Sequence, residues 1–208
     1  LFRSNASVSG VILTPNGTIQ VGQGFFVKAK VGATAVSFTN AMRETTPTST
    51  QFFKTRKADQ LDRVWLNLTN PSGAFSQALV GYTANATLGV DGYDGLSFDD
   101  SPVALTSNIN GGEYTIQGRP AFDATDVVPL NFKTDVAGDY TIAIDHADGV
   151  FAAGQEVVLV DNTTGTETSL TTSSYSFTAA AGTANSRFSL KYQKTLKVDA
   201  QTFNENNV

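Results

Sequence analysis

The chain has 208 residues and a formal net charge of -5, with 40% hydrophobic and 16% charged residues. Binding to nucleic-acid phosphates requires clustered Lys and Arg, so this charge balance argues against a nucleic-acid partner. The sequence contains no cysteine, which excludes a disulfide framework and a thiolate metal site. Its length allows one large all-β domain or two small ones.

No apolar run approaches the roughly 20 residues that a membrane helix needs, so we expect no membrane insertion. The first residues, LFRSNASVSG, have neither the basic start nor the apolar centre of a signal peptide. We therefore interpret the chain as a mature product or a piece of a longer precursor.

The first part of the chain carries two candidate strands, GFFVKAKV (Gly24 to Val31) and AVSFTNAM (Ala35 to Met42). A polar, Thr-rich stretch from Arg43 to Asp62 follows them and is typical of a linker. Too few residues precede it to fold alone. We expect residues 1–60 to form an N-terminal β segment and linker that pack on the following domain.

Strong alternation begins at RVWLNLTN (Arg63 to Asn70) and continues in FSQALVGYT (Phe75 to Thr83). In the first of these segments, the side chains of Val64, Leu66 and Leu68 point to one face, and those of Trp65, Asn67 and Thr69 to the other. This pattern predicts a strand with one buried face.

Further strands are predicted along the rest of the chain, separated by turn signals such as Asn110-Gly111 and Asp148-Gly149. They are GEYTIQGR (112–119), VVPLNFKT (127–134), DYTIAIDH (139–146), QEVVLVDN (155–162), SYSFTAA (174–180) and SRFSLKYQ (186–193). Short strands at this spacing are typical of an antiparallel β-sandwich, Ig-like or jelly-roll-like, with one core or two packed sub-sandwiches. We assign residues 61–194 to it and 195–208 to a polar tether.

The stretch DGYDGLSFDD holds four carboxylates, those of Asp91, Asp94, Asp99 and Asp100. A loop rich in Asp and Gly can supply the six to eight oxygens that calcium requires, although its spacing does not fit an EF-hand. The alternative is a solvated turn with Tyr93 and Phe98 at the edge of the core.

Residues for catalysis are scarce. His146 is the only histidine and follows a predicted strand, and no GxSxG nucleophile elbow is present. We interpret it as a surface histidine at a strand end. The acids lie in turn-like contexts, where they form turns and cap strands. The sequence therefore predicts a protein that is not an enzyme.

Exposed aromatic rings can stack on sugars, which makes Phe26 and Trp65 candidate ligand-binding residues. Phe26 belongs to a Phe-Phe pair whose two rings would lie on opposite faces of a strand. Packing in the core or at its edge is the alternative for both residues.

The chain also resembles a known group from about Ile19 to Val208. The resemblance is carried by VGQGFFVKAK, VSFTNAMR, RVWLNLTN, DGYDG, FDATDVVPL and RFSLKYQ, in this order. These blocks are similar to the β-rich region near the C-termini of cell-surface and secreted proteins of Bacteroidota, especially flavobacteria. That region typically lies just upstream of a type IX secretion sorting domain, so residues 195–208 would be a tether towards such a domain.

The resemblance implies an extracellular, non-enzymatic structural or adhesin module, exported through the type IX machinery as part of a precursor. We expect it to contact itself or other surface proteins, by addition of a strand at a sheet edge or by a head-to-tail contact that builds a filament or surface layer. The alternative is a carbohydrate-binding module whose ligand is a polysaccharide. Calcium is the one cofactor that the sequence indicates.

Overall fold

A computed structural model describes residues 7–8, 11–12, 31–43, 61–98 and 101–193. Within these ranges the protein is all-β, and its one helical element is a single 3-10 turn at Asn40–Met42. The strands are β1 (Ser7–Val8), β2 (Val11–Ile12), β3 (Asp62–Thr69), β4 (Phe75–Tyr82), β5 (Gly95–Leu96), β6 (Val103–Ile109), β7 (Gly112–Arg119), β8 (Val127–Thr134), β9 (Gly138–Asp148), β10 (Val158–Asp161), β11 (Thr166–Ser169), β12 (Tyr175–Ala179) and β13 (Gly182–Lys191).

Strands β3 to β13 form one mixed sheet in the order β11-β10-β13-β8-β6-β7-β4-β3-β9-β12, with β5 paired to β7. All the pairs are antiparallel except β4 with β7. The sheet rolls up so that its two halves face each other. Phe177 on the edge strand β12 packs on Phe132 of β8 and Phe188 of β13, which lie in the opposite half. The result is a sandwich-like, almost closed barrel.

The core follows from the alternation of apolar residues along the strands. On β3 the side chains of Val64, Leu66 and Leu68 are fully buried, as their spacing predicts. One hydrophobic cluster joins them to residues of the opposite half of the sheet, such as Leu130 and Leu190. The described residues from 61 to 193 therefore enclose one continuous core.

A buried ion pair lies where β7 ends and β8 begins. The Arg119 guanidinium donates two hydrogen bonds of 2.6 Å to the two carboxylate oxygens of Asp126. The hydroxyl of Tyr82 donates to the same carboxylate at 2.9 Å and lies 2.7 Å from the hydroxyl of Tyr192. This network links β4, β7, β8 and the end of β13.

A second ion pair, between Arg187 and Asp161, depends on an irregularity in β13. Ala184 pairs with Phe132 and Phe188 with Leu130, so two extra residues of β13 bulge out between these pairs. The bulge turns the Arg187 guanidinium back over the core, 4.5 Å from the Phe177 ring centroid. There it bonds to the fully buried side chain of Asp161 at 3.0 Å. The pair fastens the strand where its ladder is interrupted.

The prediction of a strand at Ala35 to Met42 is wrong. Residues 33–39 have no regular structure, and the 3-10 turn closes through Met42 N–H to Thr39 C=O at 3.0 Å. Thr and Asn side chains favour such turns over a strand. β1, β2, β5, β6 and β11 were not predicted. The parallel pairing of β4 with β7 corrects the purely antiparallel sandwich. The packing of residues 1–60 stays a prediction, since most of them lie outside the described residues.

Replacing Asp126 by Asn is expected to lower the free energy of unfolding at pH 7 by about 3 kcal/mol, because Arg119 then keeps a buried charge without its partner. Burial of Asp126 opposes ionisation, but the hydrogen bonds and charge of Arg119 outweigh it and lower the pKa of this carboxyl below 3.8. The contribution is therefore complete above that pH and is lost as the pH falls through the lowered pKa.

Urea unfolding of both proteins from pH 7 down to pH 3 measures this difference. Asp135→Asn, at an exposed position, is the matched control and is expected to leave stability unchanged. A wild-type to D126N difference that stays constant into the acid range would contradict the ion-pair explanation.

Candidate functional site

The outer face of β3, β4 and β9 carries a row of polar and aromatic side chains. Arg63, Trp65 and Asn67 alternate with the buried residues of β3 and therefore point outward. On β9, Asp145 is an extra residue, because Trp65 pairs with His146 while the next residue, Leu66, pairs with Ile144. Such a bulge places Asp145 and His146 together on the outer face.

The only tryptophan and the only histidine of the chain stack on each other. The ring centroids of Trp65 and His146 lie 3.9 Å apart at an interplanar angle of 18°. The guanidinium carbon of Arg63 lies over the Trp65 ring, 4.8 Å from its centroid. Arg63 is held there by Asp148, to which its Nε donates at 2.8 Å. The Trp65 side chain is partly exposed. Its ring already contacts the side chains of His146 and Arg63.

A hydrogen-bonded network extends the row beside this stack. The Asn67 amide donates to Asp145 Oδ1 at 2.9 Å, and the Gln77 amide donates to Asn67 Oδ1 at 2.8 Å. Nδ1 of His146 lies 2.7 Å from Asp145 Oδ2. The hydrogen bond from His146, reinforced by Asn67, lowers the pKa of the Asp145 carboxyl. A planar ring with amide and carboxylate groups beside it can bind sugar hydroxyls and one apolar sugar face.

The described part of the Asp-rich loop lies along β7, and the carboxylate oxygens of Asp91 and Asp94 accept hydrogen bonds from the protein itself. Asp91 accepts from the N–H groups of Tyr93 at 2.8 Å and Thr87 at 2.7 Å. Asp94 accepts from the N–H of Asp91 at 2.7 Å and from that of Gly118 at 3.0 Å. Burial raises the pKa of the Asp94 carboxyl, and these two backbone bonds oppose the rise. These hydrogen bonds support the turn alternative for this part of the loop.

Gly118 explains how the loop can approach the strand so closely. A Cβ atom at this position would lie 2.3 Å from the Cβ of Tyr93, which no real contact allows. β5 begins at Gly95, opposite Ile116 of β7, so its pairing does not extend to Gly118. The Asp94 carboxylate takes the place of a partner strand at the Gly118 N–H. Side-chain capping of this kind protects a strand edge from pairing with other chains.

The outcome differs among the predicted site residues. Trp65 lies on the outer face, where the structure brings it together with Arg63, Asn67, Asp145 and His146. The exposed position of His146 near the end of β9 confirms the prediction of a surface histidine. Phe26, Asp99 and Asp100 lie outside the described residues.

Among the described residues, no group of three or more His, Asp or Glu side chains is arranged to hold a metal ion. Because two of the four loop carboxylates are not described, calcium binding there stays a prediction.

The sequence analysis did not identify Asp145 and Gln77 as neighbours of Trp65. The alternation of β4 could have placed Gln77 on the outer face, whereas the bulge at Asp145 leaves no signal in the sequence.

Within the described ranges, no helix is long and apolar enough to cross a membrane. A family model described as "Domain of unknown function (DUF8693)" matches residues 3–192. No curated protein and no solved structure matches the chain. The matched range covers the whole rolled sheet and also most of the residues that precede it.

Replacing Gly118 by Ala is expected to lower the free energy of unfolding by about 1–3 kcal/mol, because the new methyl group would displace Tyr93 and with it the loop. Gly138→Ala is the matched control, since a Cβ atom there meets nothing within 4 Å. Thermal unfolding of the two variants measures the difference. Equal stability of the two variants would show that the loop does not depend on close contact with β7.

Proposed function

The chain belongs to this family of unknown function, and we propose that it is a non-enzymatic structural or adhesin module of an extracellular surface protein. In this proposal the type IX secretion machinery exports the precursor, and the module then assembles with copies of itself or with other surface proteins. The resemblance to flavobacterial surface proteins supports the location and the export route. Neither nucleic acid nor membrane insertion has a part in it.

The observation that carries the proposal is that many acidic side chains form hydrogen bonds within the fold. Hydrolytic catalysis needs carboxylates with free oxygens at an open site. Here many of the aspartates accept hydrogen bonds from backbone N–H groups at turns and strand ends instead. These are Asp62, Asp91, Asp94, Asp123, Asp126 and Asp161. The acids thus hold the fold together, as expected of a structural module.

The exposed face of the edge strand β12 is neutral and polar, which also suits an extracellular module. Ser176 and Thr178 of β12 bond to Thr141 and Asp139 of β9 at 3.0 and 2.6 Å. Short hydroxyl side chains of this kind form cross-strand ladders on solvent-exposed sheets.

The Asp-rich loop would supply the site for a structural calcium ion if Asp99 and Asp100 complete it.

Light scattering over a wide range of protein concentration is expected to show a mass that grows with concentration. Repeating the series with calcium and then with a chelator separates a calcium-dependent assembly from a calcium-indifferent one. A monomer at every concentration and in both conditions would remove self-assembly from the proposal, leaving attachment to other surface proteins.

A second candidate function is polysaccharide binding, and the row around Trp65 favours it. The partly exposed indole lies next to the Asn67 and Gln77 amides and the Asp145 carboxylate, all of which can bond to hydroxyl groups. Because His146 covers part of the ring by stacking, a sugar would have to displace the imidazole or bind beside it.

Trp65 fluorescence reports directly on this candidate, since the chain has no other tryptophan. If a polysaccharide binds here, its addition is expected to shift the emission and to slow the protein in affinity electrophoresis. Trp65→Ala is expected to abolish the retardation, whereas Phe75→Ala, at an exposed aromatic residue elsewhere on β4, is expected to keep it. Unchanged migration of the wild type across a broad glycan panel would exclude the function.

A further inference from the structure

The chain enters the rolled sheet and leaves it at the same end. The sheet begins with Asp62, the first residue of β3, which pairs with Tyr82, the last residue of β4. The chain leaves the sheet just after β13, where the hydroxyl of Tyr192 lies 2.7 Å from that of Tyr82. Tyr82 therefore adjoins both the point of entry and the point of exit.

The loop from Gly149 to Gln155, which follows β9, contacts the chain at both of these points, and we name it the clasp. On the entry side, the N–H of Val150 donates to Asp62 Oδ1 at 2.8 Å. On the exit side, Nε2 of Gln155 donates to the backbone carbonyl of Tyr192 at 2.9 Å. Within the loop, the N–H of Gln155 donates to the carbonyl of Val150 at 3.0 Å. Three hydrogen bonds in series thus connect the entry of the chain to its exit.

Close packing keeps the clasp against the same two points. Gly149 has a φ of +60°, and a Cβ atom there would lie 2.7 Å from the carbonyl oxygen of Leu61. Any other residue would have to push the loop away from the start of β3. The buried ring of Phe151 lies 6.0 Å from the Tyr82 ring and 5.3 Å from the Tyr192 ring, between centroids. Hydrogen bonds and aromatic contacts therefore join entry and exit together.

The flanking segments, residues 1–60 and 194–208, connect to the sheet at these two points. Because the points lie side by side, a tension applied between the two segments acts first on the contacts that join the points. We propose that the clasp is a mechanical junction. It carries the tension that reaches the module through its flanking segments, and the rest of the sheet stays outside the path of that tension.

The direction of pulling distinguishes this role from a general contribution to stability. A contact that carries the tension is already broken in the transition state of forced unfolding, so removing it speeds unfolding. A contact outside the path is still formed in that state, so removing it slows refolding instead. The clasp bonds are therefore expected to control the unfolding rate when the chain is pulled at its entry and exit, and not when it is pulled elsewhere.

Optical tweezers on the full chain test the proposal. The chain has no cysteine, so DNA handles attach only at cysteines that are introduced in pairs. Leu61→Cys with Gln193→Cys applies force between the entry and the exit. Ser72→Cys with Thr163→Cys applies force between two exposed turns outside the clasp. The unfolding rate is measured at constant force in both directions.

Two variants each remove one bond of the clasp, Asp62→Ala on the entry side and Gln155→Ala on the exit side. Each is expected to unfold about fivefold faster than the unsubstituted chain when pulled at 61 and 193, and less than about twofold faster when pulled at 72 and 163. Gln77→Ala is the matched control, because Gln77 also donates a hydrogen bond, to Asn67, but lies outside the clasp. It is expected to change the rate by less than about twofold in the entry–exit direction. Thermal unfolding checks that every variant folds.

Equal acceleration in both pulling directions would overturn the proposal, because the bonds would then stabilise the sheet without lying in the path of the tension. Unchanged unfolding rates of both clasp variants in the entry–exit direction would overturn it as well. The inference goes beyond the proposed function and holds for any partner of the module. Neither result depends on whether the module assembles with copies of itself, so the two proposals can fail separately.

Discussion

The rolled sheet depends on two arginine–aspartate pairs that are mostly shielded from water. Arg119 with Asp126 joins β7 to β8, and Arg187 with Asp161 joins β13 to β10. A charge in such a place is costly without an oppositely charged partner, so each pair limits the arrangements that its strands can take. The hydrophobic core favours any compact sheet, and we expect these pairs to favour this arrangement over others.

The bulge in β13 and the loop on β7 follow from the same constraint that buried or edge polar groups need partners. Arg187 reaches Asp161 because the bulge redirects its side chain. At β7, just before β5 begins, the Asp94 carboxylate accepts a hydrogen bond from the Gly118 N–H, which would otherwise face solvent at a strand edge. Asp94, one of the aspartates that drew attention in the sequence, is in this way part of the hydrogen bonding of the sheet.

Alternation in the sequence was enough to predict most strands and the all-β class, because a period of two directly reports a half-buried strand. It failed at β6, where Thr106 and Ser107 are both buried and hide the pattern. It also failed at Ala35–Met42, where an alternating segment has no strand partner among the described residues. The contact of Trp65 with His146 depends on strand order and a bulge in β9, which no local pattern records.

The candidate glycan-binding row on the outer face of β3 consists of groups that already satisfy one another. On the outer face of β3, the Trp65 ring is stacked on His146, and the Asn67 amide has partners in Asp145 and Gln77. A ligand there must break existing contacts before it makes new ones. Glycan binding at Trp65 would therefore have to offset the loss of these contacts.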